Sequence, residues 1–440
     1  MIHPKHLISV FGFSLLIQVA GVGTGLLSSR LLGPQGKGEL TTVILWASVL
    51  LYAGNLGLSE ATAYFVGQKL EPRSTVFATS QWLVLGLGVG ITLIGWALIP
   101  IVLARQDPWL VSLSRQFLLF YVIPGLSSLC LVALLQGGSQ WLWFNLSRTT
   151  PHLVTLSAMV VMWLMGHISV VTFAIASLVG NGATVLVALL GTSLSGWFSW
   201  RGSRPLAKAM LAYGFKVQIG AWASMANVRF DQLLMSILLP SASLGLYVVA
   251  VTYAAVVNLV PATMAQVSLP ILITAHNSGS GAQVLERFFR WSLWLTALPI
   301  ALLMLNSAWL LPWLFGRQFS AAVPMTYILL LAALPLSSNL ILSTGFKAFG
   351  QPLIASQAEA LGLFLTVILL LILLPSWGGI GAAFASLGSY FTSTLFLGWF
   401  AYRIFGVRPT NLIIPQIQDW EYTRLLFLKL MDKLKTSLPA

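Results

Sequence analysis

The stretch Pro124-Gly125-Leu126-Ser127-Ser128 recurs, with one residue deleted, as Pro335-Leu336-Ser337-Ser338, about 210 residues further along the chain. Two other landmarks keep nearly the same spacing and the same order: Gly137 is matched by Gly345, and Ala174-Ile175-Ala176-Ser177-Leu178 by Ala383-Phe384-Ala385-Ser386-Leu387. These matches predict a chain built from two similar halves. A membrane protein of this kind can rock one half against the other around a central site, which is the principle of alternating-access transport.

The composition places the chain in a membrane. Hydrophobic residues make up 58% of the chain and charged residues 8%, whereas soluble domains have about 45–50% and about 25%. The single Cys130 excludes an intramolecular disulfide. The net charge of +13 is typical of basic cytoplasmic loops in contact with anionic lipids. Nucleic-acid binding is excluded, because it needs a soluble basic face and the sequence has none.

Hydrophobic runs predict an all-α polytopic protein with about twelve transmembrane helices, each long enough for a bilayer core of about 30 Å. Turn signals fall between the runs, at Gly33-Pro34-Gln35-Gly36, Gln106-Asp107-Pro108, Pro240-Ser241 and Ser376-Trp377-Gly378-Gly379. Counts from eleven to fourteen stay open. The predicted spans are 8–29, 41–66, 76–104, 116–137, 150–166, 168–191, 209–239, 244–274, 288–315, 324–346, 353–375 and 379–402.

Basic residues predict the orientation in the inner, or cytoplasmic, membrane. With both termini in the cytoplasm, the cytoplasmic segments hold about twelve lysines and arginines and the external loops about five, as the positive-inside rule requires. Six spans in each half make the two halves parallel. We therefore predict an N-terminal six-helix lobe over 1–200, a C-terminal six-helix lobe over 201–405 and a cytoplasmic amphipathic tail over 406–440. The basic residues of the tail would lie against anionic headgroups.

The sequence has no recognisable catalytic constellation. The five histidines are scattered, and none lies in a zinc-protease motif, so no metal site is predicted. Gly86-Leu87-Gly88-Val89-Gly90 has glycines like a phosphate loop, but it lies inside a span and lacks the following lysine. The sequence therefore predicts a protein that is not an enzyme and binds no cofactor.

Charged residues inside the spans are the main functional candidates, because each costs several kcal/mol in lipid unless it faces protein or water. They are Glu60, Lys216, Arg229, Asp231, Lys347 and Glu359. Glu60 is the predicted carrier of a coupling ion. Lys347 and Glu359 are weaker candidates, since long side chains near span ends can reach the interface instead.

Arg229 and Asp231 have two interpretations. The first is a structural ion pair, but residues two apart on a helix point in different directions. The second, which the sequence favours, is exposure to a water-filled cavity.

Several motifs resemble those of polysaccharide flippases. The segment Ser29-Arg30-Leu31-Leu32-Gly33-Pro34-Gln35-Gly36-Lys37-Gly38 resembles the family's R-x-L-G-x-x-G-x-G signature. Further similar segments are Gly57–Tyr64, Asp231–Leu234, Leu244–Ala250 and Gly378–Ser386. Over residues 5–405 the chain resembles the multidrug/oligosaccharidyl-lipid/polysaccharide (MOP) exporter superfamily, in particular its polysaccharide-transporter, Wzx-like branch. It departs from the lipid II flippase branch, which looks like fourteen spans.

The resemblance implies two six-helix lobes around a central cavity. Carried over to this chain, it places Arg30, Glu60, Lys216, Arg229 and Asp231 on cavity-lining helices. The implied substrate is a polyprenyl-pyrophosphate-linked sugar, whose phosphates cationic side chains would attract. A polysaccharide polymerase or glycosyltransferases are the implied protein partners. Sugar specificity would rest on polar groups that the sequence does not rank, namely Gln18, Asn55, Asn227, Asn258 and Gln266.

Two alternatives compete with a flippase. A multidrug or organic-cation antiporter of the same superfamily would favour acidic and aromatic cavity residues, whereas Arg30, Lys216 and Arg229 match or outnumber the acids here. A membrane-embedded transferase would need converging His or Asp residues, and none converge in the sequence. The sugar itself, the coupling ion and the oligomeric state are not fixed by the sequence.

Overall fold

The structure is a computed structural model that describes residues 4–69, 71–407 and 409–414. Within these residues the regular elements are helices. The α-helices are α1 (Pro4–Gly54), α2 (Leu58–Gln68), α3 (Arg73–Val102), α4 (Pro108–Gly137), α5 (Trp141–Leu164), α6 (Val170–Leu194), α7 (Arg204–Leu238), α8 (Ser241–Ala255), α9 (Leu259–Asn277), α10 (Gly281–Phe315), α11 (Val323–Ala348), α12 (Pro352–Phe405) and α13 (Pro409–Ile413). Short 3₁₀ segments occupy Val256–Asn258 and Arg317–Ala322.

The two longest helices are each two helices joined at a glycine. In α1, Gly33 has φ 69° and ψ −178°, a conformation that side chains with a Cβ rarely adopt. The next residue, Pro34, cannot donate a backbone hydrogen bond to the preceding turn. In α12, Gly378 has φ 54° and ψ −133°. Both kinks fall at predicted turn signals, where one helix ends and the next begins.

The prediction of an all-α polytopic protein is confirmed. Eight helical stretches of the described chain are long and apolar enough to cross a membrane, judged by length and composition. Two of them contain the kinks. Pro352–Phe405 covers the predicted spans 353–375 and 379–402, whereas Gly12–Gly54 covers most of the span 8–29 and the first part of the span 41–66. Helices α5 and α7 are not among the eight, but they lie where spans 150–166 and 209–239 were predicted.

Two predicted spans are interrupted. The run 41–66 is broken between α1 and α2, where Leu56 and Gly57 have positive φ values of 48° and 68°. The run 244–274 changes from α-helix to 3₁₀-helix over Val256–Asn258 before α9 continues. A hydropathy profile does not reveal such breaks, because the residues on both sides of them are apolar.

By its internal contacts the chain divides into two units. Unit 1 contains Met1–Thr252, Ala308–Met325 and Leu370–Ala382. Its core includes one face of α4, where fully buried side chains recur every four residues. They are Leu118, Val122, Leu126, Cys130 and Leu134. A spacing of four keeps side chains on the same side of a helix.

Unit 2 contains Tyr253–Ser307, Thr326–Leu369 and Ala383–Ala440. Its core includes buried residues from several helices, among them Leu272, Leu285, Leu342, Phe346 and Ala355. The short α13 is fastened to this unit: the buried Arg290 donates to the carbonyl oxygen of Asn411, whose amide in turn lies 3.4 Å from both carboxylate oxygens of Glu286.

The predicted lobe boundary near residue 200 stays a prediction. Residues 415–440, which hold most of the predicted amphipathic tail, lie outside the described residues.

Candidate functional site

Glu60 lies in the first turn of α2, immediately after the break. Its carboxylate oxygen Oε2 accepts a 2.8 Å hydrogen bond from the Ser59 hydroxyl, whose oxygen accepts a 2.9 Å bond from Nδ2 of Asn55. Asn55 is buried, whereas Glu60 is exposed. A carboxylate in the first turn is favoured by the positive end of the helix dipole. The break therefore holds an acidic group in a fixed position.

Helix α7 packs directly against this break. A Cβ added at Gly214 would collide with the carbonyl oxygens of Leu56 and Gly57, so only glycine allows the two backbones to approach this closely. Two α7 side chains also bond the carbonyls at the end of α1. Gln218 Nε2 donates to Tyr52 at 2.9 Å, and Trp222 Nε1 donates to Ala53 at 3.0 Å. Carbonyls that lose their helical partners are thus satisfied by α7.

Two tyrosines join α2 and α7 beside the break. The rings of Tyr64 and Tyr213 are stacked, with centroids 4.2 Å apart and an interplanar angle of 16°. Tyr64 is exposed and lies one turn after Glu60, so both project from the same side of α2. Lys216 is also exposed, but it lies two residues after Gly214, which is about 200° around α7. Glu60 and Lys216 therefore occupy neighbouring helices without sharing a face.

Arg229 and Asp231 lie further along α7 and have different surroundings. Asp231 Oδ2 accepts a 2.6 Å hydrogen bond from the hydroxyl of the buried Tyr247, and Oδ1 accepts a 2.7 Å bond from the backbone N–H of Gln232. Arg229 is exposed, and its Nη1 lies 3.3 Å from Oε1 of Gln232. Gln232 therefore connects the two charges. Sequence reasoning missed Tyr247, although a tyrosine within an apolar run needs a partner for its hydroxyl.

Arg30 is bound to the end of another helix. Its Nε donates to the carbonyl oxygen of Leu314 at 2.7 Å, and its Nη2 donates to that of Trp313. Both carbonyls belong to the last turn of α10, whose negative dipole end attracts a cation. This helix-capping role was not predicted, and substrate binding by Arg30 stays a prediction.

Lys347 and Glu359 belong to unit 2. Lys347 is exposed in the last turn of α11, where a cation stabilises the helix end. Glu359 is half-buried near the start of α12. The interfacial roles predicted for Lys347 and Glu359 stay predictions.

Metal-binding residues do not cluster in the part of the chain that the structure describes: it contains no group of three or more His, Cys, Asp or Glu side chains suited to a metal ion. Exposed charged groups on α2 and α7, among them Glu60 and Arg229, can make ionic and hydrogen-bonding contacts with a ligand.

Comparison with known proteins gives both a family and a fold. A family model described as "Polysaccharide biosynthesis protein" matches residues 27–324. The lipid II flippase MurJ in an inward closed conformation superposes with a TM-score of 0.77 at 15% identity, covering 98% of this chain and 94% of that chain. A multidrug resistance MATE family transporter of the MOP superfamily, in an inward-facing conformation, superposes with a TM-score of 0.70 at 16% identity. The match covers 91% of this chain and 98% of that chain.

A MOP superfamily transporter from Pyrococcus furiosus gives a TM-score of 0.58 at 15% identity, with 91% of this chain and 94% of that chain covered. At such identities the likeness shows the fold. No curated protein matches the chain by sequence. The resemblance to the MOP superfamily and its polysaccharide branch is confirmed by the family match and the fold together.

Proposed function

The chain belongs to the polysaccharide biosynthesis protein family, and on that premise we propose that it is a flippase for a lipid-linked oligosaccharide or polysaccharide precursor. It is a multi-pass membrane protein with the fold of MOP superfamily transporters. The substrate is a polyprenyl-pyrophosphate-linked sugar, whose headgroup crosses the cytoplasmic membrane by alternating access while its tail stays in lipid.

The exposure of Arg229 on α7 is the observation that most supports this proposal. The residue lies on a helix of a largely apolar protein, and the neighbouring Asp231 is held by Tyr247. The planar guanidinium presents several donors in a fixed geometry that fits phosphate oxygens. Lys216 adds a second exposed cation thirteen residues earlier on α7, about 20 Å along the helix axis. Thirteen residues also turn α7 by about 220°, so Lys216 and Arg229 do not share a face, and Arg229 is the cation that we assign to the pyrophosphate.

A second candidate function is an antiporter for multidrug or other organic cations. The exposed Glu60 and the stacked Tyr64 lie on one side of α2, and a carboxylate beside an aromatic ring suits an organic cation. The two candidates predict opposite charges for the transported molecule, so one assay separates them.

The proposed setting follows from the substrate. Both termini lie in the cytoplasm, where the precursor is assembled, and anionic lipids contact the basic loops. Glycosyltransferases supply the precursor, and a polysaccharide polymerase extends it after transport.

The test is transport in proteoliposomes. The purified protein is offered a fluorescent polyprenyl-pyrophosphate oligosaccharide or a cationic dye, and the label crossing the bilayer is measured. We expect transport of the lipid-linked sugar and not of the dye. Transport of the dye alone would establish the antiporter.

Variants of Arg229 test its role in the same assay. Arg229→Ala should abolish transport, and Arg229→Lys should retain part of it because the charge remains without the planar donors. Arg201→Ala, which changes an exposed loop arginine, should transport like the wild type. A folded Arg229→Ala protein with full activity would contradict the role given to this residue.

A further inference from the structure

A pocket opens on the surface of unit 1 between α3, α4, α6 and the segment 195–203 that connects α6 to α7. It has a volume of about 230 Å³, and its walls are mostly apolar. The wall residues include Phe77, Trp82, Leu85, Ile123, Leu189 and Trp200. Trp82, Leu85 and Trp200 are 55%, 44% and 73% exposed. The pocket is therefore open to the surroundings of the helices, which for a membrane protein include lipid.

The connecting segment 195–203 is fastened to α3, which makes the pocket a built feature of the fold. Nε1 of Trp82 donates to the carbonyl oxygen of Trp200 at 3.2 Å. The backbone N–H of Ser203 donates to Oγ1 of Thr79 at 3.0 Å. These two hydrogen bonds hold the wall that Trp200 contributes against the helix that contributes most of the others.

One polar pair interrupts the apolar wall of the pocket. The Ser127 hydroxyl donates a 2.7 Å hydrogen bond to Oε1 of Gln81, and both residues line the pocket. Nε2 of Gln81 is buried and has no hydrogen-bond partner. A buried donor without an acceptor is costly, so an occupant that brings an acceptor to Gln81 is favoured over one that is hydrocarbon alone.

A cation lies on the same face of α3 as Gln81. Arg73, Phe77, Gln81 and Leu85 follow each other at intervals of four residues and so lie along one side of the helix. The guanidinium of Arg73 lies over the ring of Trp197, with Cζ 4.7 Å from the ring centroid. This contact positions a half-buried guanidinium, whose N–H donors suit phosphate oxygens.

The depth of Gln81 in the membrane follows from the length of α3. The helix has 30 residues and is about 45 Å long, whereas the hydrocarbon core is about 30 Å thick. From Trp82 to Ala104 the chain has one polar residue, Thr92, so the turns before Trp82 are the ones that extend beyond the core. Gln81 therefore lies where hydrocarbon meets the headgroup region, which is the depth of the ester carbonyls of a phospholipid.

We propose that this surface of unit 1 binds one anionic phospholipid. Its phosphate bonds Arg73, an ester carbonyl oxygen accepts from Nε2 of Gln81, and an acyl chain occupies the pocket beside Leu85. Phosphate, ester and chain thus follow the order of their partners along α3. The basic residues predict that Arg73 faces the cytoplasm, where anionic lipids are concentrated. A polyprenyl chain is a poorer occupant, because it has no carbonyl to offer Gln81.

The test is the thermal unfolding of the full-length protein in detergent, followed by tryptophan fluorescence as one lipid is titrated. Three lipids with identical chains are compared: ester-linked phosphatidylglycerol, ether-linked phosphatidylglycerol and ester-linked phosphatidylcholine. A ligand that binds only the folded state raises Tm, and we expect a saturable rise of about 2–3 °C with ester-linked phosphatidylglycerol. The ether lipid lacks the carbonyl and phosphatidylcholine lacks the net charge, so each should need about fivefold more lipid.

Two variants assign the groups of the lipid to their partners. Gln81→Leu keeps the size of the side chain and removes the unpaired donor, so it should respond equally to the ester-linked and ether-linked phosphatidylglycerols. Arg73→Gln should respond equally to phosphatidylglycerol and phosphatidylcholine. Lys208→Gln is the matched control, because it removes an exposed basic residue on the same predicted side of the membrane, and it should keep both preferences. The comparison of the lipids on the wild type does not depend on the folding of any variant.

The proposal is overturned if phosphatidylglycerol gives no saturable response or if its ester-linked and ether-linked forms act alike on the wild type. An equal loss in Lys208→Gln and Arg73→Gln would also overturn it, since it would indicate diffuse attraction of lipids to basic residues. A stronger response to polyprenyl phosphate than to phosphatidylglycerol would assign the pocket to a different lipid. The lipid site does not rest on the proposed function, so a protein that shows the lipid response without sugar transport would refute that function alone.

Discussion

The hydroxyl of Tyr247 fixes the orientation of Asp231, and this separates the two charges on α7. The carboxylate is turned toward a buried phenol at 2.6 Å, while Arg229 stays exposed beside Gln232. Hydrogen bonds to a charged acceptor are stronger than those between neutral groups. Tyr247 is therefore expected to act as a positioning residue for Asp231.

Replacing Tyr247 with phenylalanine tests this role. Tyr247→Phe removes the donor and leaves an Asp231 oxygen without it, so we expect a loss of about 1–3 kcal/mol of stability and a lower Tm. Tyr52→Phe is the control, because Tyr52 is 40% exposed, and its Tm should match the wild type. An unchanged Tm for Tyr247→Phe would show that the bond contributes nothing.

The sequence was enough to predict which residues are candidates, but not which partners each of them contacts. Cost in lipid singled out Glu60, Arg229 and Asp231 from sequence alone, and the family resemblance added Arg30. Their partners could not be found that way, since the carbonyls bound by Arg30 lie 283 and 284 residues further along the chain. For Tyr247 the distance is only sixteen residues, but its burial depends on how helices pack.

At the scale of elements, the contact between Gly57 and Gly214 determines how α2 and α7 cross. Helix positions and most turn signals were predictable, because apolar runs and Gly-Pro pairs are local features. The break at residues 55–57 was not predictable from the sequence, because it depends on close contact with the backbone at Gly214, about 160 residues away. The partners that stabilise it, Gln218 and Trp222, come from the same distant helix.

Gly214→Ala tests the crossing. A Cβ at this position would collide with backbone atoms of Leu56 and Gly57, which cannot rotate away. We expect a clearly lower Tm, although alanine is the better helix former by about 1 kcal/mol. Gly67→Ala is the matched control on α2, where nothing lies within 4 Å of an added Cβ, and its Tm should be equal or higher. A Gly214→Ala protein as stable as this control would disprove the close crossing.

At the scale of the whole molecule, the distribution of basic residues predicts the orientation in the membrane. Cysteines introduced at Arg105 and Arg317, both exposed, should react with an impermeant thiol reagent added to intact cells. Cysteines at Arg204 and Lys347, also exposed, should not, because they face the cytoplasm under the positive-inside rule. The native Cys130 is buried and should give little background. Labelling of Arg204→Cys from outside would reverse the orientation.

The discontinuity of unit 1 has a consequence for how the protein is made. The unit is incomplete when residue 252 leaves the ribosome, because it still needs Ala308–Met325 and Leu370–Ala382. Bacterial and other ribosomes add about 5–20 residues per second, so the missing pieces follow only after an interval on the order of 10 s. During that time the newly inserted helices of unit 1 lie in the bilayer with part of their packing surface uncovered. We expect a membrane chaperone to be needed most during this interval, when that packing surface is uncovered.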